Sequence, residues 1–234
     1  MGFRRNDAPN TFRTMTLPLR IAVLASGRGS NLAALIAARD AGTLPVEFTL
    51  VASDKASAGA LRLAEAAGIP TLALSPRSYP DRRAFDLDLF ARIADSGAEL
   101  LVLAGFMRIV DGAALEPWAG RIVNIHPSLL PKYRGLHTHR RALEAGDTEH
   151  GASVHFVTAE LDGGPVIAQA RISIESGDDE DTLAERLLPL EHRLLPAVIA
   201  LIAAQRLALG PNGITLDGSP LTRPLNLSGF QLSR

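Results

Sequence analysis

From Arg20 onward, short apolar runs rich in β-branched residues or leucine alternate with segments of helical period. That alternation predicts a parallel sheet with crossover helices. The predicted strands span residues 21–25, 47–53, 71–75, 100–104 and 122–125. Between them lie predicted helices at 31–39, 57–67 and 81–96, with Gly68 and Gly97 as the C-terminal stops of the last two. After residue 150 the pattern changes to clearer alternation, at 153–158 and 166–174, joined by Leu161-Asp162-Gly163-Gly164. Two such strands predict an antiparallel extension of the sheet. A long helix over 179–204 follows, which Pro189 and Pro196 are expected to bend or interrupt. The fold class is therefore α/β, a mostly parallel twisted sheet of about seven strands flanked by helices, with a C-terminal antiparallel extension.

Length and composition narrow this picture. The 234 residues suit one α/β domain over 19–204, a flexible tail over 1–18, and a small hairpin and loose tail over 205–234, where Gly, Pro and Asn are scattered. Lys and Arg total 24 against 25 Asp and Glu, with no single-sign run long enough for a nucleic-acid arm, so no nucleic-acid partner is expected. The absence of cysteine excludes disulfides, thiolate zinc sites and cysteine nucleophiles. Arg4 and Arg5 are followed by no apolar stretch of the secretory kind, and Asn6 stands where a myristoylation signal wants Ser or Thr. No apolar run reaches membrane-span length, so no membrane partner and a cytoplasmic location are expected.

Three segments carry candidate chemistry. The first strand runs into Ser26-Gly27-Arg28-Gly29-Ser30-Asn31 and then a helix, a junction that presents backbone N–H groups at the positive end of a helix dipole and suits a phosphate dianion. Leu32 breaks the dinucleotide-binding glycine spacing, and the lysine of a Walker loop is missing. The same residues also fit a tight turn in which Ser30 or Asn31 only caps the helix. The second segment is Asn124-Ile125-His126-Pro127 at the C-terminal end of the fifth strand, where open α/β sheets bind ligands. Two residues apart on an extended chain, Asn124 and His126 point to one side, as an amide donor and a proton-handling imidazole; a histidine that merely ends a strand is the alternative. The third is Leu161-Asp162-Gly163-Gly164-Pro165, which places a carboxylate in a sharp turn and also reads as a plain Asp-Gly turn. His137 and His139 form an H-x-H pair without a third ligand cluster, so no metal is expected, and His150, His155 and His192 read as structural.

Taken together, these segments resemble the glycinamide ribonucleotide formyltransferases, folate-dependent enzymes of purine synthesis. The resemblance covers residues 20–204 and includes Ala25 to Leu32, Leu103-Ala104-Gly105-Phe106-Met107-Arg108-Ile109, Asn124 to Thr138, and His150-Gly151 through Gly164-Pro165. It implies an N-terminal half that binds phosphate and a C-terminal half that binds folate, with 10-formyltetrahydrofolate as co-substrate and small molecules as the only substrates, in a monomer or homodimer. It implies catalysis by Asn124, His126 and Asp162. The substrate phosphate would sit at Gly29, Ser30 and Asn31, with Glu191 near the ribose. Folate would lie against Arg82, against Met107, Arg108, Ile109 and Val110, beside Asn124, and along the loop Thr158, Ala159, Glu160, Leu161 and Asp162.

The implied reaction joins a neutral amine to the formyl carbon through a tetrahedral intermediate, so donors must meet the developing oxyanion and a proton must move from the attacking to the leaving nitrogen. Asn124 and His126 would meet the oxyanion. Asp162 would hold His126 and raise its pKa by favouring the imidazolium. A formyltetrahydrofolate hydrolase would use the same three residues on water, a methionyl-tRNA formyltransferase would use them on an aminoacyl-tRNA, and a non-catalytic nucleotide-binding module would bind without turnover.

Overall fold

The computed structural model describes residues 17–229 and 231–233. The tail expected over 1–18 lies outside the described residues apart from Leu17 and Pro18. Chain order begins β1 (Leu19–Leu24), α1 (Ser30–Asp40), β2 (Val46–Ser53), α2 (Gly59–Ala66), β3 (Thr71–Ala73), α3 (Arg82–Asp95) and β4 (Leu100–Leu103). It continues with α4 (Gly112–Leu115), β5 (Ile122–His126), α5 (Thr138–Glu144), β6 (Glu149–Phe156), β7 (Val166–Ser173) and α6 (Glu180–Ala203). Five short strands close it: β8 (Leu207–Gly210), β9 (Gly213–Leu216), β10 (Ser219–Pro220), β11 (Leu225–Ser228) and β12 (Gln231–Ser233).

Among the described residues the main sheet has nine strands, in the order β12-β11-β7-β6-β5-β4-β1-β2-β3. Strands β3, β2, β1, β4 and β5 run parallel, β6 reverses against β5, and β7 reverses against β6. The expected seven strands become nine because β11 adds in parallel to the edge of β7, and β12 pairs back onto it. The stretch expected as a hairpin and loose tail does contain the β8–β9 hairpin, which with β10 forms a second sheet. Leu225, buried beside β7, gives the last segment an apolar anchor, a signal masked in the sequence by the surrounding Pro and Asn.

Strands β1, β2, β4 and β5 divide their side chains between two cores, as their period of two requires. Ile21 and Val23 pack with Leu32 and Leu35 of α1 and Leu194 and Val198 of α6, whereas Ala22 and Leu24 pack with Phe85, Leu89 and Ile93 of α3. Helix α6 runs through both prolines without a break, so the prolines do not interrupt it. Its start is fixed by reciprocal 2.8 Å bonds between Asp179 and Thr182, and its body packs along α1, β6 and β7, which keeps the turns that lack a proline N–H in register. No helix of the described residues is long and apolar enough to cross a membrane.

Strand order places the site. From β1 the chain moves outward to β2 and β3, then returns to the other side of β1 as β4. The crevice at such a reversal, beyond the C-terminal strand ends, is where open α/β sheets take ligands.

Candidate active site

A cleft of ≈ 770 Å³ opens at this reversal. Its walls include Gly29, Ser30 and Asn31 from the loop after β1, Met107 to Val110 from the loop after β4, Asn124 and His126 from β5, Thr158 to Asp162 from the β6–β7 turn, and Glu191 from α6. Residues that lie more than a hundred positions apart in the chain thus line one cleft. Arg82 is the exception among the expected site residues: it begins α3, is exposed, and does not line the cleft.

At one end of the cleft, Gly29 precedes α1 with φ 86° and makes no side-chain cap bond. A Cβ there would lie 2.7 Å from the backbone of Ala60, so only glycine fits both the turn and the close approach of α2. The reading in which Ser30 or Asn31 caps the helix is therefore not what forms. The first N–H groups of α1 have no partner within the helix, which leaves them for an anion. The Asn31 side chain is otherwise engaged: its Nδ2 donates to Glu191 Oε2 at 2.9 Å, and its buried Oδ1 has no partner. Burial raises the Glu191 pKa, and the bond from Asn31 opposes that rise.

At the centre, β5 presents Asn124 and His126 on one face, both lining the cleft as the two-residue spacing requires. His126 is 6% exposed, and its Nε2 lies 2.9 Å from the Tyr133 carbonyl. A carbonyl only accepts, so Nε2 carries a hydrogen. Nδ1 then faces Asp162 Oδ2 at 3.5 Å, and a proton on Nδ1 turns that contact into an ion pair. Burial pushes the His126 pKa down, while the Tyr133 carbonyl and the Asp162 charge pull it up and lose. The expectation that Asp162 raises this pKa thus holds for the pairwise effect but not for the net shift, because desolvation of the ring is larger.

Asp162 sits in the β6–β7 turn with φ 46°. The turn is held tight by Gly164, where a Cβ would lie 1.8 Å from the Phe156 carbonyl oxygen. Asp162 Oδ2 accepts from the Gly135 N–H at 2.9 Å, and Oδ1 lies 3.6 Å from His155 Nε2. Burial works to raise its pKa, but His155, the Gly135 N–H and the positive charge available at His126 outweigh it and hold the carboxyl below its usual range.

His155, read as structural from the sequence, belongs to this group. On β6 it is the register partner of Asn124. Its Nδ1 lies 2.9 Å from the Phe156 carbonyl and so carries the hydrogen of the neutral ring. Nε2 is left to accept from Asn124 Nδ2 at 3.1 Å. That bond fixes which way the Asn124 amide faces and uses one of its two hydrogens. Only strand pairing brings His155 to Asn124, a signal that no local pattern carries. His139 and His150 form a separate pair, with ring nitrogens 3.0 Å apart.

Comparison with known proteins agrees with this geometry. The formyl transferase family model matches residues 19–199. The phosphoribosylglycinamide formyltransferase of Escherichia coli (strain K12) is 49% identical over 203 residues, covering 87% of this chain and 96% of that protein. The human trifunctional purine biosynthetic protein adenosine-3 is 41% identical over 90% of this chain, which spans 21% of that protein. The solved phosphoribosylglycinamide formyltransferase of Coxiella burnetii superposes with a TM-score of 0.84 at 48% identity, covering 88% of this chain and 96% of that one. Glycinamide ribonucleotide transformylase 1 of Symbiobacterium toebii gives 0.82 at 43% identity, covering 85% and 94%. With 49% identity over 203 residues to a relative matched almost end to end, the chain belongs to the phosphoribosylglycinamide formyltransferase family.

Proposed function

We propose that the protein transfers the formyl group of 10-formyltetrahydrofolate to the amine of glycinamide ribonucleotide, a step of purine synthesis. The observation that carries this reading is the meeting of Asn124, His126 and Asp162 in a cleft whose far end is an uncapped helix N-terminus. The ribonucleotide phosphate takes the N–H groups after Gly29, and Glu191, steadied by Asn31, receives a ribose hydroxyl. The pterin lies against the Met107–Val110 segment, Asn124 and the Thr158–Asp162 turn. Arg82, exposed at the start of α3 and outside the cleft lining, would meet only a part of the folate tail that projects beyond the cleft. The phosphate is thus held from the N-terminal half of residues 19–204, while folate is held by segments from both halves, in a cytoplasmic monomer or homodimer that needs no metal.

In the reaction the amine attacks the formyl carbon, a C–N bond forms, and the carbonyl oxygen takes up negative charge. The Asn124 hydrogen not used by His155 meets that oxygen. Protonated His126, its Nδ1–H shared with Asp162, supplies the balancing positive charge beside it. The His126–Asp162 pair then relays the proton lost by the attacking nitrogen to the departing folate nitrogen, and the old C–N bond breaks.

The test is a turnover assay with both substrates and with water as the control acceptor. Formyl transfer to the ribonucleotide well above hydrolysis supports the assignment. Hydrolysis alone, or binding without turnover, overturns it.

A further inference from the structure

The loops leaving β1 and β4 form opposite lips of the cleft: Ser26 to Gly29 leads into α1, and Gly105 to Val110 forms the other side. The parallel ladder between these strands ends at Leu24 and Leu103 and is prolonged by two backbone bonds, from Ala104 N–H to the Leu24 carbonyl at 2.9 Å and from Ser26 N–H to the Gly105 carbonyl at 3.0 Å. Gly105 then turns at φ 81° and the strands part. Past that point Ser26 holds the opposite lip a second time, its side-chain Oγ accepting from Met107 N–H at 3.1 Å. Ser26 is 4% exposed, whereas the Met107 and Ile109 side chains stand out at 65% and 54%. The far end of that lip is pinned independently: Asp86 of α3, fully buried, accepts from Asp111 N–H at 2.8 Å. Of the two pins, only Ser26 belongs to the loop that leads to Gly29, Ser30 and Asn31.

We propose that Ser26 couples the two substrate sites, so that loading the loop after β1 with the ribonucleotide tightens the loop after β4 on folate, and the reverse. This rests on the function proposed above. An anion drawn onto the first N–H groups of α1 orders the backbone a few residues beyond Ser26, and the Ser26 hydroxyl carries that order across the crevice to Met107. A neutral hydrogen bond of this kind shifts an equilibrium by a factor of about 2 to 10, which sets the size of the coupling. Linkage requires the factor to be the same in both directions.

Calorimetry of the full chain tests this with tetrahydrofolate, which lacks the formyl group and cannot turn over, titrated without and with saturating glycinamide ribonucleotide. In the wild type, the ribonucleotide should lower the tetrahydrofolate Kd by about 2- to 10-fold, with the same factor in the reverse titration. Ser26→Ala should bring the factor close to one while binding of the ribonucleotide alone changes little. Should the alanine variant fail to fold, as judged by its melting curve, Ser26→Cys carries the comparison, since a thiol is a weak acceptor and should shrink the factor. Asp86→Ala, which removes the acceptor of the far pin, should weaken tetrahydrofolate equally in both titrations and leave the factor intact. A wild-type factor of one, a factor unchanged in the Ser26 variants, or a Ser26→Ala protein that loses both affinities with the factor preserved would each overturn the coupling. If both ligands bind without coupling, Ser26 alone is refuted; if neither binds the wild type, the functional reading fails and the coupling with it.

Discussion

Replacing Asp162 by asparagine preserves the turn, since an amide oxygen can still accept from the Gly135 N–H, and removes one charge. The carboxylate lies 3.5 Å from Nδ1 of His126, and the two side chains are only 10% and 8% exposed. At that separation the attraction between carboxylate and imidazolium is about 1 kcal/mol in bulk water and about 5 kcal/mol at an effective dielectric near 20. The burial of both groups places the contact toward the larger figure. With each 1.4 kcal/mol worth tenfold in rate, Asp162→Asn should cost about 10²- to 10³-fold in kcat. The histidine should respond in a defined direction: burial already drives its pKa down and Asp162 opposes that, so the variant should titrate at still lower pH. Steady-state kinetics across pH and an NMR titration of the ring measure both effects. Full activity with an unshifted titration would refute the pairing on which the mechanism rests.

Three other outcomes are expected. Asn124→Ala should lower kcat by roughly 10²- to 10³-fold, as for other oxyanion donors, and the double variant with Asp162→Asn should be less impaired than the product of the single effects, as rapid-mixing kinetics of all three proteins would show. Asn31→Leu should weaken ribonucleotide binding by about tenfold by releasing Glu191, with tetrahydrofolate affinity unchanged; calorimetry showing equal losses would remove Asn31 from the ribonucleotide site. His150 is buried beside His139 and its pKa is pushed down to about 4, first by burial and then by that neighbour. Because the folded state resists its protonation, the stabilisation is complete above the unfolded pKa near 6.5 and is lost as pH falls through about 4, a change of about 3 kcal/mol. Urea midpoints at pH 7 and pH 4 should therefore diverge less in His150→Gln than in the wild type, and an identical divergence would contradict this.

The parallel half of the sheet was legible because its strands are dense apolar runs and two of its crossover helices close on glycine, Gly68 and Gly97 following α2 and α3 within two residues. Strand β5, the candidate catalytic strand, was legible for a different reason: a polar residue on every second position at the end of an apolar strand has no packing rationale. Interruption of α6 at its prolines does not occur because tertiary packing along α1 and the sheet overrides a local penalty. The strands β11 and β12 were missed since edge strands of three or four residues rely on a neighbour already in place. His155 was missed on the same ground, its role existing only through its register with Asn124.

The net direction of the His126 shift shows why the chemistry of a site is harder to read from sequence than its membership. Sequence similarity brings Asp162 to His126 and so supplies the sign of their interaction. It does not supply the dielectric in which they meet, which is made by residues remote in the chain: the β5–β6 pairing, the loop that carries the Tyr133 carbonyl, and the Gly164 turn. Glu191 follows the same logic, with one bond from Asn31 set against the burial imposed by α1 and α6. In both cases desolvation pushes the group toward its neutral form and polar neighbours oppose it, the Tyr133 carbonyl and Asp162 at His126 and the Asn31 amide at Glu191.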